Sequence, residues 1–244
     1  LFLEDHLERL EYSVLNQGAD SRPPLARIKE NLIMLIAHNP SVINGNIKII
    51  LHYRRELHHS PDIFSYYTPH RYPSSDEYTS GVDLILVHAE RQSVHSKIIN
   101  PGFRAAIDQK IKSANAWEAL LVDKNGFITE GSKSNFFLIK ENKIITTPGR
   151  EVLPGITRKK ILDICGNSQI EIIERKTRST ETDNYDSCFI SGTSPGVLAV
   201  RSIEATRFSR ENHILDKIAV EYENREIIYV RKNKHKFNKV NTKQ

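Results

Sequence analysis

Residues 129–158, TEGSKSNFFLIKENKIITTPGREVLPGITR, constrain this chain more than any other stretch. Glu130 opens a loop that Asn135 closes. Phe136, Phe137, Leu138 and Ile139 continue as an apolar strand. Residues 141–143 turn the chain, and Ile144, Ile145 and Thr146 return as a second strand. Pro154 and Gly155 then punctuate the entry to a helix, where Ile161, Leu162 and Ile164 have helical spacing. That helix starts near Gly155, Ile156 and Thr157. The free N–H groups of such a start, with the Thr157 hydroxyl, make a site for an anion such as phosphate. Taken alone, the segment could also be an ordinary hairpin and helix, with Glu130 a solvated loop carboxylate.

The rest of the chain alternates helix and strand. Helices are expected over residues 5–17, 25–38, 104–114, 157–165 and 215–229. Strands are expected over 46–53, 65–69, 82–88, 117–123, 171–173, 187–191 and 197–200. Residues 70–78, HRYPSSDEY, hold a proline and two serines with no apolar period, so a linker and a domain boundary are placed there. The net charge of +5 does not indicate a nucleic-acid partner. Six positive charges, from Arg231 to Lys243, crowd the last fourteen residues, and without them the net charge is −1. No stripe of base-stacking aromatics accompanies them, so a solvated basic tail is expected. No apolar run is long enough to span a membrane. Cys165 and Cys188 do not make a disulfide framework or a metal site. They read as small buried residues of a chain in a reducing, cytoplasmic compartment.

The opening segment resembles the signature of the class IV (fold type IV) pyridoxal-phosphate enzymes. That family includes branched-chain and D-amino-acid aminotransferases and aminodeoxychorismate lyase. The resemblance rests on Glu130, Gly131, Ser132, Asn135, Phe136, Phe137, Thr146, Leu153, Gly155, Ile156, Thr157 and Arg158. It implies an α/β fold with two domains and pyridoxal 5'-phosphate between them. Residues 1–72 would form a small N-terminal α/β domain, lacking its first strands. Residues 73–230 would form a larger α/β domain with a mainly β core, and 231–244 the basic tail.

The resemblance also assigns roles. Lys97 is the candidate for covalent attachment of the cofactor and for proton transfer, 33 residues before Glu130. A lysine shifts its pKa readily on burial, as that chemistry requires. Pro101, Gly102 and Phe103 after it depart from the expected family forms. Glu130 is the partner of the pyridine nitrogen. Ser134, Asn135, Gly155, Ile156, Thr157, Gly192 and Thr193 are expected to hold the cofactor, and Arg9 its phosphate. Without the resemblance Arg9 reads as a surface helix charge and Thr193 as a turn hydroxyl bonded to its own backbone. The Thr193 and Ser194 backbone groups are the candidates for a substrate carboxylate. Arg54, Arg55, His58 and His59 form a polar loop that could face the site. The spacing of His52, His58 and His59 fits no metal. Family members carry a cofactor-contacting tyrosine upstream of the Arg9 position, a region that precedes Leu1.

The expected activity is transfer of an amino group between an amino acid, branched-chain-like or D, and a 2-oxo acid, by a homodimer. The alternatives are aminodeoxychorismate lyase and a non-catalytic relative of the fold.

Overall fold

The computed structural model describes residues 1–19, 21–42, 44–54, 60–69, 71–91 and 93–238. The chain divides into two compact units, residues 1–72 with 225–244, and residues 73–224.

In the first unit, helices α1 (Leu3–Asn16) and α2 (Leu25–Ala37) accompany a two-stranded antiparallel sheet of β1 (Asn46–His52) and β2 (Asp62–Thr68). Leu7, Ile28 and Leu32 are buried among Ile47, Ile49, Leu51 and Ile63, the alternate residues of the two strands. This is the period-2 pattern of a sheet with one face covered. β2 begins earlier than its aromatic run suggests, because Asp62 pairs with His52 in register and Arg54 closes an ion pair on Asp62 at 3.0 Å. Arg55, His58 and His59 lie outside the described residues.

The second unit opens with α3 (Ser75–Ser80), where a linker was expected. The reason is a capping box. The Ser74 hydroxyl accepts from the Glu77 N–H at 3.2 Å, and the Glu77 carboxylate accepts from the Ser74 N–H at 2.8 Å. Next come β3 (Val82–His88), α4 (Pro101–Ser113), β4 (Glu118–Val122) and β5 (Phe127–Gly131). α4 starts three residues before the expected Arg104. Pro101 occupies its first position and Asn100 caps it, accepting from the Phe103 N–H at 3.0 Å. The hairpin β6 (Asn135–Lys140) and β7 (Lys143–Thr146) leads to α5 (Ile156–Asn167) and β8 (Ile172–Glu174). β9 (Thr177–Arg178), β10 (Ser187–Gly192), β11 (Gly196–Ile203) and β12 (Thr206–Arg207) follow.

Helix α6 (His213–Asn238) ends the described chain. The Asn212 side chain accepts from the N–H groups of Ile214 and Leu215 at its start. α6 begins in the second unit and finishes in the first, where the Tyr229 hydroxyl donates to Glu4 at 2.7 Å. Residues 231–238, the start of the expected basic tail, belong to this helix, since Lys and Arg are good helix formers. Lys239 and Lys243 lie outside the described residues.

One mixed sheet, in the order β8-β7-β6-β10-β11-β3-β4-β5-β9 with β12 on β11, carries the second unit. β4 is buried along its whole length, so its run EALLV does not alternate. Phe137 and Phe189 face each other across β6 and β10, their rings stacked 4.7 Å apart. Cys165 and Cys188 are free thiols, and burial pushes Cys165 up to about 11 and Cys188 well above the ordinary thiol range. Both are inert thiols that pack as apolar groups.

Replacing Phe137 by Ala removes a fully buried ring and its stacked neighbour's contact. The expected cost is about 3–5 kcal/mol, measured by urea unfolding. A loss below about 1 kcal/mol would mean that the sheet's core is not packed around this pair.

Candidate active site

The site is built on two turns at one end of the large sheet. The first, Gly131–Ser134, joins β5 to β6. The second, residues 192–196, joins β10 to β11. β10 pairs with β6, with Ser191 opposite Asn135, so the two turns are neighbours.

Glu130 and Asn135 stand at either end of the first turn, 2% and 5% exposed. Both reach the backbone of the same residue, Leu153. Glu130 Oε2 accepts from the Leu153 N–H at 3.3 Å, and Asn135 Nδ2 donates to the Leu153 carbonyl at 3.1 Å. Leu153 is two residues before Gly155, the N-cap of α5. There is no room for a side chain at Gly155, because a Cβ there would overlap Asn135 Oδ1. Two side chains of a sheet turn thus fix where a helix begins.

No side chain caps α5, so its first N–H groups face the space before it without that partner. Thr157, 4% exposed, lies in this first turn, with its hydroxyl 3.3 Å from that of Tyr222. The Ser191 hydroxyl, opposite Asn135, is buried with no hydrogen-bond partner among the described residues. An uncapped helix start, a Thr hydroxyl and an orphaned Ser hydroxyl suit a bound phosphate.

Sequence reasoning missed Arg91. Its Nε lies 2.7 Å from Glu130 Oε1, and its Nη2 donates to the Ser132 carbonyl at 2.7 Å. Burial lifts the Glu130 carboxyl above its usual range, while the Arg91 charge and the Leu153 N–H oppose the shift. A cavity of about 280 Å³ opens beside the pair, lined by Arg91, Lys124, Thr129, Glu130, Arg150 and Glu151 among others. The available signal was an arginine six residues before Lys97, just beyond an apolar strand.

Lys97 lies on the same loop as Arg91, between β3 and α4, and its side chain is exposed. It is not among the residues lining the cavity. Ser96 before it is buried, and the Asn100 cap follows three residues later. Ser134 is buried in the first turn. Gly192 ends β10, and Thr193, which is exposed, and Ser194 lie in the second turn. Arg9 is on α1 in the first unit, its guanidinium 3.5 Å from His6 Nδ1. The structure therefore groups Glu130, Ser134, Asn135, Gly155, Ile156, Thr157, Gly192 and Thr193 at one end of the sheet. It links the Lys97 loop to that group through Arg91.

The sequence profile of amino-transferase class IV matches residues 1–203. The chain belongs to this family. Class IV aminotransferases are pyridoxal-phosphate enzymes, and the residues just described fit that cofactor's phosphate and ring nitrogen. A D-alanine aminotransferase of Bacillus licheniformis is 30% identical over 210 residues, 83% of this chain and 74% of that one. A branched-chain-amino-acid aminotransferase-like protein of Arabidopsis thaliana is 27% identical over 207 residues, covering 78% of this chain and 36% of that one. A solved structure from Legionella pneumophila, assigned as a 4-amino-4-deoxychorismate lyase, has the same fold. It superposes with a TM-score of 0.79 at 22% identity, over 91% of this chain and 85% of that one.

The Glu130–Arg91 pair is testable by pH. The folded chain holds the Glu130 proton to higher pH than the unfolded chain does. Glu130 therefore takes stability away as pH rises above the ordinary carboxylate range, and Arg91 limits that loss. Arg91→Met keeps the bulk and removes the charge. It is expected to cost about 3 kcal/mol near pH 8, and less near pH 5, where Glu130 without its partner takes up a proton. Urea unfolding at both pH values measures this, and an equal cost at both would mean that Arg91 does not face an ionised carboxylate.

Proposed function

We propose that this chain is a pyridoxal-phosphate aminotransferase that moves an amino group between an amino acid, branched-chain-like or D, and a 2-oxo acid. The observation that carries this reading is Glu130. It is a buried carboxylate held by Arg91 and Leu153 at the approach to α5, in a chain that the class IV profile matches over residues 1–203.

The cofactor supplies an electron sink for the substrate's α-carbon. The chain's residues do the rest. Glu130 accepts a hydrogen bond from the ring nitrogen and keeps its proton in place. The first N–H groups of α5, with the Thr157 and Thr193 hydroxyls and the Gly192 backbone, bind the phosphate. Arg9 is assigned to the phosphate on the family resemblance alone, and Ser134 and Asn135 shape the wall beside the ring. Lys97 Nζ attaches the cofactor and then carries the substrate's α-proton, as a neutral amine. The Thr193 and Ser194 N–H groups hold the substrate carboxylate. The active form is a homodimer in the cytoplasm, a reading that rests on the family alone. Among the described residues no helix is long and apolar enough to cross a membrane.

The second reading is aminodeoxychorismate lyase, in which the same residues drive loss of pyruvate. The likeness to the Legionella pneumophila structure favours it.

Incubation of the cofactor-loaded protein with an amino acid and a second 2-oxo acid separates the two. Appearance of the second amino acid supports transfer, and pyruvate released only from aminodeoxychorismate supports the lyase. Borohydride reduction followed by peptide mass analysis is expected to place the pyridoxyl label on Lys97. Lys97→Ala is expected to lower turnover by at least about a thousandfold. A label on no lysine would end both readings.

A further inference from the structure

Glu118 is a buried carboxylate to which the proposed chemistry gives no part. It begins β4, is 4% exposed, and sits directly under the Gly131–Ser134 turn. Its Oε1 accepts from the Ser132 hydroxyl at 3.2 Å and from the Lys133 N–H. A Cβ at Gly131 would come within 2.8 Å of the same oxygen, so the carboxylate fills the floor of the turn.

The turn is held from its other side as well. Arg104 Nη1 donates to the Ser132 carbonyl at 3.1 Å, and Arg91 Nη2 donates to that oxygen at 2.7 Å. Asp108 fixes Arg104 through both carboxylate oxygens. Donors of the turn thus point in to Glu118, and an acceptor of the turn points out to two arginines. Burial pushes the Glu118 carboxyl up to about 7, against the Ser134 and Ser132 hydroxyls and the charges of Arg104 and Arg91. An ionised or a protonated carboxyl each offers an acceptor oxygen to the Lys133 N–H.

We propose that Glu118 is a positioning residue that holds the Gly131–Ser134 turn, so that Glu130 and Asn135 at its ends keep their grip on Leu153 and the start of α5. The effect on the reaction rests on the function proposed above; the effect on the turn does not.

Two measurements on the full chain test it. The first is hydrogen–deuterium exchange without cofactor. Glu118→Met keeps the bulk and removes the acceptor. It is expected to speed exchange of the 131–135 amides about tenfold, as loss of one buried hydrogen bond to a charged group does. The β10 and β11 amides should not change. Glu118→Gln retains an acceptor oxygen and is expected to restore slow exchange. Ser132→Ala removes one partner of the carboxylate and is expected to give a smaller rise, about threefold.

The second is titration with pyridoxal phosphate, followed by absorbance. Glu118→Met should weaken binding about tenfold, and Glu118→Gln should stay within about twofold of the parent.

Unchanged exchange at 131–135 in Glu118→Met, or an equal rise throughout residues 73–224, overturns the proposal. If Glu118→Met does not fold, Ser132→Ala and Glu118→Gln decide it, and a Ser132→Ala protein with unchanged 131–135 exchange overturns it. If the parent chain binds no cofactor, the proposed function falls while the exchange comparison still judges Glu118.

Discussion

The site depends on one residue, Leu153, held at both its backbone N–H and its carbonyl. The Leu153 N–H donates to Glu130, and the Leu153 carbonyl accepts a hydrogen bond from Asn135. These side chains leave the sheet at either end of one four-residue turn. A backbone segment without regular structure is thereby fixed to a rigid one, and the N-cap of α5 follows two residues later at Gly155. Hydrogen bonds like these add modest net stability each, yet breaking one in a buried place leaves its partner unsatisfied. The arrangement therefore specifies geometry more than it adds stability.

Around Leu153 the charges are layered. Glu130 is buried and faces Arg91. Glu118 is buried beneath the turn, and Arg104 lies against the turn's carbonyl. Burial raises the affinity of both carboxyls for protons, Glu118 adds to that at Glu130, and the arginines counter it. Arg91 also belongs to the loop that carries Lys97. Movement of that loop therefore works against an ion pair and a 2.7 Å hydrogen bond to the turn.

Much of the chain was legible in order. The strand at Val82–His88 follows from the apolar run at 84–87, and the β6–β7 hairpin from two apolar runs about a short polar turn. Local competition explains the misses. Residues 70–78 read as a linker because they lack an apolar period, yet a capping box holds a helix over Ser75–Ser80 without one. The helix expected from residue 104 starts at Pro101, because proline at the first position of a helix costs nothing there. Arg91 and Glu118 had no spacing signature. Their partners lie 39 and 15 residues away and meet them only through sheet pairing.

The sequence by itself determined the family and the order of elements. The motif residues from Glu130 to Arg158 are close in the chain, and periodicity is a local property. Only the tertiary structure decided which charges share a cavity and which hydroxyls lie buried. β4 pairs parallel with β3 and antiparallel with β5, and that pairing brings Glu118 under the turn. Long-range sheet register sets such contacts, and no short window of sequence contains it.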